Sequence, residues 1–336
     1  MKVLVVGDQH LRFELPYSSA FSDGRRGEWE QVKAKIHKTA EDCDAVVLLG
    51  DNLNARHNHS TVIKEFIDFL NGFGDKEVHI LVGNHERYGK ATALDFLKEI
   101  PTRNWFVYTE PTRETIAGYP SMLIPFMNPA LLGVETKEEA IEAIMNSFPK
   151  EKIKLAFLHH AVSGMKIGDF PIDLTNEMVL HKDKLNKHFD ITFAGHIHNK
   201  HIIDQSTIVT GSIFTQNVGE HEKSIWIYED GKVTEVPLPV RSIFKMIWEE
   251  QGEKHYPKHS IVKCYITSRN TDIEVVKEFL NYFDSYVVIE QYPSERTKVH
   301  FEKGLDLSVE NLLKLFAEAK DLDYAELKAG FELLRK

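Results

Sequence analysis

The sequence predicts an α/β protein, and three features carry that prediction. Short apolar runs recur between Gly, Asp, Asn or Pro, as strands covered on both faces do. Amphipathic segments alternate with them through residue 100, which implies helices layered on a sheet. After residue 150 the strands follow one another more closely, so the sheet arrangement is expected to become more antiparallel.

The expected strands are 2–6, 45–49, 78–82, 121–125, 154–158, 190–194, 206–210 and 224–228, and the expected helices are 28–41, 60–72, 91–99 and 136–147. The last helix opens after Thr136 and sets Ile141, Ile144 and Met145 at helical spacing. Asp230-Gly231 suits the turn of a hairpin, IWIYEDGKVTEVPL. Pro237 and Pro239 then mark a boundary. Beyond it come strands at 243–249 and 261–267, a helix at 272–283, strands at 286–291 and 297–302, and two helical segments over 308–335. The expected units are 1–238, a small α+β unit at 239–305, and a helical segment at 306–336.

With 336 residues, 42% hydrophobic and 27% charged, the chain can bury a substantial core without staples. Cys43 and Cys264 are its only cysteines, which excludes a disulfide framework and a thiolate zinc site. No apolar run reaches membrane-spanning length, and the N-terminus lacks the apolar core of a signal peptide, so a cytoplasmic, reduced protein is expected. The net charge of −10 argues against coating nucleic acid by bulk charge, while the 17 histidines stand out.

Five short motifs sit where expected strands end: GDQH at 7–10, GDN at 50–52, GNHE at 83–86, LHH at 158–160 and GHIH at 195–198. A glycine there lets the chain turn sharply and aim the next side chain into a crevice at the strand's carboxyl end. Together the turns deliver carboxylate, amide and imidazole groups, a donor set for two adjacent divalent metals. Such a pair activates water and clamps a phosphate for in-line attack. Oxygen donors suit manganese or magnesium, and imidazoles draw the preference toward manganese, iron or zinc. No phosphate-binding GxxxxGK[ST] loop occurs, so any ATP dependence must come from a partner.

In this order the five motifs resemble the calcineurin-like metallophosphoesterase superfamily. The resemblance implies a two-sheet β-sandwich flanked by helices. It assigns Asp8, His10 and His198 to one metal, Asn84, His159 and His196 to the other, and Asp51 as the bridging carboxylate. His85 resembles the histidine that contacts the scissile phosphate and helps protonate the leaving oxygen.

Within the superfamily the chain resembles the SbcD-type nucleases, including short phage versions. The first motif lies at the N-terminus and continues HLRF, a polar basic loop follows GDN, and a small unit near 241–302 resembles a capping domain. That likeness implies a manganese-dependent DNA exonuclease or endonuclease working with an SMC-like ABC ATPase of SbcC type. It also implies a homodimer within a heterotetramer, with the C-terminal helices docking the ATPase. Arg12, Arg25, Arg26, Arg56, Arg87, Lys90 and Lys200 lie near the motifs and offer phosphate contacts to DNA. Phe13, Tyr17 and Phe21 offer stacking faces. The alternatives are a phosphatase or phosphodiesterase acting on small molecules or proteins, and a scaffold without activity. Asn54 and Glu86 depart from the family pattern. The longer Glu86 is expected to alter how the His85 imidazole is oriented.

Overall fold

The structure, a computed structural model, describes residues 1–13, 25–100, 104–167, 170–174, 177–220, 222–250 and 256–291, with isolated positions between 314 and 328. Two six-stranded sheets form its body. In the first, the strands run in the order Lys232–Pro237, Ser224–Glu229, Lys2–Val6, Ala45–Leu48, Glu77–Leu81, Trp105–Tyr108. In the second the order is His201–Ile202, Thr207–Val209, Phe189–Ala194, Ile153–Leu158, Tyr119–Ile124, Thr112–Ile116.

Side-chain alternation explains the layering. Along the first strand Val3 and Val5 point to one face, where they meet Phe157, Ile191 and Phe193 of the second sheet. Leu4 and Val6 point to the other face and pack under the helices Arg26–Ala40 and Ser60–Asn71, against Trp29, Val32, Phe66 and Phe69. On the far side, Ala156, Leu158 and Ala194 cover the helices Lys137–Asn146 and Lys182–His188 through Ala140, Ile144 and Leu185. The inner strands of each sheet are buried on both faces, which is why they read as unbroken apolar runs. Thr136 and Glu139 close a reciprocal capping box at the start of their helix.

Several expectations need correction. The second sheet is not more antiparallel: 119–124, 153–158, 189–194 and 207–209 run parallel, and antiparallel pairing is confined to its edges. The crossover helix that decides this, Lys182–His188, is too short to leave a periodic signature. The helix expected at 91–99 is a small hairpin, Arg87–Tyr88 with Ala91–Thr92, followed by a 3-10 turn at Asp95–Glu99. Asp95 Oδ2 accepts from the Thr92 amide, and Thr92 Oγ1 from the Leu94 amide, so side chains satisfy the backbone that a helix would have used. The edge strand Thr112–Ile116 has three exposed side chains in its middle and so carried no apolar signal.

Beyond Val240 the chain builds a separate three-stranded parallel sheet, Ser242–Ile247, Ser260–Ile266 and Ser285–Glu290, with the helix Ile273–Leu280 and its own apolar cluster around Val262, Cys264, Val276 and Leu280. The strand expected at 297–302 lies outside the described residues, as does the C-terminal helical pair apart from isolated positions. Among the described residues no helix is long and apolar enough to cross a membrane.

Candidate metal centre

The strands 2–6, 45–48 and 77–81 run parallel in one sheet, and 153–158 and 189–194 run parallel in the other. Their carboxyl ends therefore gather along one rim of the sandwich, and each of the five motif turns begins there. The expected role of glycine needs refining. In three of the five motifs the left-handed backbone falls on a donor residue itself: His10 (φ 44°), Asp51 (φ 46°) and His196 (φ 79°). Non-glycine residues held in that region are strained, and strain of this kind collects where packing fixes a functional group. Glycine serves mainly by lacking a side chain. A Cβ at Gly83 would lie 2.1 Å from Asp51 Oδ1, and one at Gly195 would lie 2.6 Å from Asp8 Oδ1.

The donors converge in two groups. Asp8, His10 and His198 bring one ligand atom each within 4.8 Å of one another, and His10 Nε2 stands 3.0 Å from His198 Nε2. Asn84 Oδ1 lies 3.0 Å from both His159 Nε2 and His196 Nδ1. Asp51 sits between the groups, with Oδ2 at 3.6 Å from His10 Nε2 and 3.4 Å from His159 Nε2. The structure thus brings together all seven residues expected to hold metal.

The outer nitrogens of three imidazoles are held in place. His159 Nδ1 donates to the Leu49 carbonyl at 2.7 Å, His196 Nε2 faces Glu177 at 3.3 Å, and His198 Nδ1 faces Glu220 at 3.5 Å. Such partners fix the ring and leave the inward nitrogen free to bind a cation. Glu220 is itself anchored by Lys223 Nζ at 2.6 Å and by the amides of Gln216 and Asn217. Burial acts upward on Glu220, yet His198, Lys223 and the Gln216 amide hold its carboxyl down to about 2. Neither Glu177 nor Glu220 was legible in the sequence.

Electrostatics favour cations. Asp8 and Asp51 are buried. Burial, followed by the charge of Asp51, raises the Asp8 carboxyl. Burial also acts upward on Asp51, but the neighbouring His159, His10 and His85 outweigh it and hold that carboxyl low. Burial drives His10 down to about 3, so it faces the site as a neutral donor. Two buried carboxylates, an amide oxygen and imidazole nitrogens fit divalent ions.

His85 adjoins these donors: His10, Asp51 and His85 bring one ligand atom each within 4.8 Å of one another, and the His10 and His85 ring centroids are 4.7 Å apart. Its amide donates to Asp51 Oδ1 at 2.9 Å, and its Nδ1 donates to the Asn54 carbonyl at 2.9 Å, which leaves Nε2 4.0 Å from Asp51 Oδ2 at the edge of the open cleft. The ring is 43% exposed, which a substrate-facing group requires. Asn54 therefore orients His85 through its backbone. Glu86 does not touch the imidazole, contrary to expectation. Its carboxylate accepts from the amides of Leu53 (3.0 Å) and Gly83 (2.8 Å), tying the second and third motif turns together. Burial, then Asp51, pushes its carboxyl up to about 7. His160 is bound to the backbone at Pro125 and Met127 and stacks on Phe126, away from the donors.

The seven basic residues diverge. Arg25 is buried, with Nη2 on the Thr215 carbonyl and Nε 3.4 Å from Glu28. Arg87 is buried against the Thr109 carbonyl and Met127, and Lys200 is tied to Ser224 and Glu235. These three are engaged by contacts within the fold. Arg12 reaches Gln216, and Arg26 pairs with Glu65 and lies over Phe13 at 4.4 Å. Arg56 and Lys90 are exposed. Arg56 lines a cleft of about 500 Å³ together with Asn54, Ala55, His57, Asn84 and His85. Tyr17 and Phe21 lie outside the described residues.

A sandwich whose rim gathers two carboxylates, an amide and four imidazoles, with a further histidine beside them, defines a metal-dependent phosphoester hydrolase site. Residues 1–200 match the calcineurin-like phosphoesterase family, and the chain belongs to it. It is 25% identical over 257 residues to "Putative phosphoesterase 244L" of Invertebrate iridescent virus 6, covering 72% of this chain and 81% of that protein. Among solved structures, a hypothetical protein from Thermus thermophilus aligns with 71% of this chain and 100% of its own, at TM-score 0.38 and 13% identity. A Vps29 single mutant from Entamoeba histolytica aligns with 70% and 99%, at TM-score 0.30 and 15% identity.

Proposed function

We propose that this chain is a manganese-dependent phosphodiesterase that cleaves DNA, working as a homodimer with an SMC-like ABC ATPase in end processing, in the cytoplasm. The observation that carries the catalytic part is the placement of His85. Its ring is held by the Asn54 carbonyl beside the complete donor set, with Nε2 4.0 Å from Asp51 Oδ2, in an open cleft. When bound, two divalent cations would neutralise the phosphate and supply an activated water. Asp8, His10 and His198 would hold one cation, Asn84, His159 and His196 the other, and Asp51 would touch both.

The chain's own groups do the rest. His85 Nε2 faces the cleft where the leaving oxygen departs and can hand it a proton. The exposed Arg56 guanidinium has no ion-pair or hydrogen-bond partner among the described residues. Its exposure in the cleft supports a role in holding a neighbouring phosphate of a polymer, a group a monoester lacks. The three-stranded sheet beyond residue 240 is more than phosphoester chemistry needs and supports a macromolecular substrate or partner. Manganese is favoured because the set mixes hard oxygens with imidazoles. ATP dependence and docking would belong to the partner.

The test is to incubate the manganese-loaded protein with linear duplex and single-stranded DNA, beside p-nitrophenyl phosphate monoester and diester. DNA cleavage with weak monoester turnover is expected. Strong monoester turnover without DNA cleavage would move the reading to a small-molecule or protein phosphatase.

A further inference from the structure

Beside the His85 cleft lies a second hollow of about 320 Å³, and the two share Arg56 and His57. Its floor is apolar, from Ile63, Ala93 and Phe96, and its wall carries Tyr88. Tyr88 is 45% exposed although it is a large ring beside a polar crevice. It lies roughly parallel to His57, with centroids 6.3 Å apart and 25° between the planes. The one carboxylate on the wall, Asp95, is engaged by the Thr92 amide and Lys98 Nζ, so it adds little repulsion toward an anionic ligand. Exposed flat rings next to an unpartnered guanidinium form a surface that suits a base attached to a phosphate.

We infer that this hollow is a nucleobase subsite, in which Tyr88 and His57 stack the base on the leaving side of the scissile phosphate while Arg56 holds the next phosphate. The inference rests on the nuclease reading and deepens it. The side rests on the proposed role of His85 in protonating the leaving oxygen: the cleft that His85 lines shares Arg56 and His57 with the hollow. Stacking reads no base identity, because every base offers a π face. The subsite therefore confers preference for an unpaired nucleotide over an aryl or alkyl phosphate without sequence specificity. Tyr88 and His57 are binding residues, since neither adjoins the reacting atoms.

Two single-stranded oligodeoxynucleotides test this, one intact and one with an abasic residue on the leaving side of the cleaved bond. On the intact strand Tyr88→Ala should raise KM roughly 5- to 150-fold, the range for losing one base–aromatic stack. On the abasic strand it should leave KM unchanged, and Tyr88→Phe should restore the wild-type value. Equal changes on both strands, or none on either, would overturn the subsite. If the wild type hydrolyses bis(p-nitrophenyl) phosphate but neither oligonucleotide, the nuclease reading falls on its own. Calorimetric titration with adenosine 5′-monophosphate then decides the subsite. Saturable binding that Tyr88→Ala abolishes assigns the hollow to a free nucleotide, and no binding overturns it.

Discussion

Replacing His85 with alanine separates proton donation from metal binding. The ring contributes through Nε2, which faces the cleft, while its amide hydrogen bond to Asp51 Oδ1 is backbone and survives the substitution. The donors around Asp51 should therefore stay in place. What disappears is a positioned acid, a loss of roughly 10²–10⁴-fold in kcat, or about 3–5 kcal/mol of transition-state stabilisation. The loss should depend on the leaving group. A p-nitrophenolate departs without a proton, so the variant should hydrolyse bis(p-nitrophenyl) phosphate within about tenfold of wild type. A deoxyribose hydroxyl leaves poorly unprotonated, so oligonucleotide cleavage should fall by the full factor. The assay is steady-state kinetics on both substrates with metal content measured in parallel. Equal losses on the two substrates, or loss of bound metal, would refute the reasoning.

Other perturbations follow from the same geometry. Glu220→Gln should weaken binding of the metal at His198 by about 10–100-fold in calorimetric titration, because the ring loses its outer carboxylate. Glu220 also carries a pH signature. Its folded carboxyl lies at about 2 against an ordinary 4.5, so its contribution is present above 4.5 and is lost as pH falls toward 2. In urea melts of metal-free protein, the acid-side loss of stability should shrink in Glu220→Gln, by on the order of 3 kcal/mol. Phe157→Ala should cost about 3–5 kcal/mol in the same melts, since this buried ring stacks on Phe193 at 5.7 Å between the sheets. Chelation should abolish hydrolysis and lower the thermal midpoint, and added manganese should restore both.

What the sequence revealed and what it hid divide along a physical line. The motif turns after apolar runs marked where donors gather, and the family resemblance carried by those motifs picked out the seven metal-facing positions and His85, because each motif is local and its chemistry is written in side chains. The groups that orient them are remote or carry no signature. Glu177 and Glu220 meet their imidazoles only in the folded chain, and the Asn54 and Leu49 carbonyls belong to the backbone, which no residue type betrays. Basic residues misled for the same reason. Arg25 and Arg87 read as surface charge near a phosphate site, but long-range contacts with Thr215 and Thr109 bury them. Strands covered on both faces were plain, whereas the polar edge at Thr112–Ile116 and the parallel core of the second sheet were not. Part of the histidine excess becomes intelligible, since five of the 17 line one rim. The net charge of −10 also loses its force against a nucleic-acid substrate, because two cations would add four positive charges at the site.

The central claim is that Asp51, set between the two donor groups, holds both metals. Elemental analysis of manganese-loaded wild type and Asp51→Ala, with hydrolysis measured on the same samples, tests it most directly. The account predicts about two divalent ions per chain in the wild type. In the variant it predicts depletion of both ions together with loss of hydrolysis. A variant that keeps both ions and cleaves at the wild-type rate would contradict it.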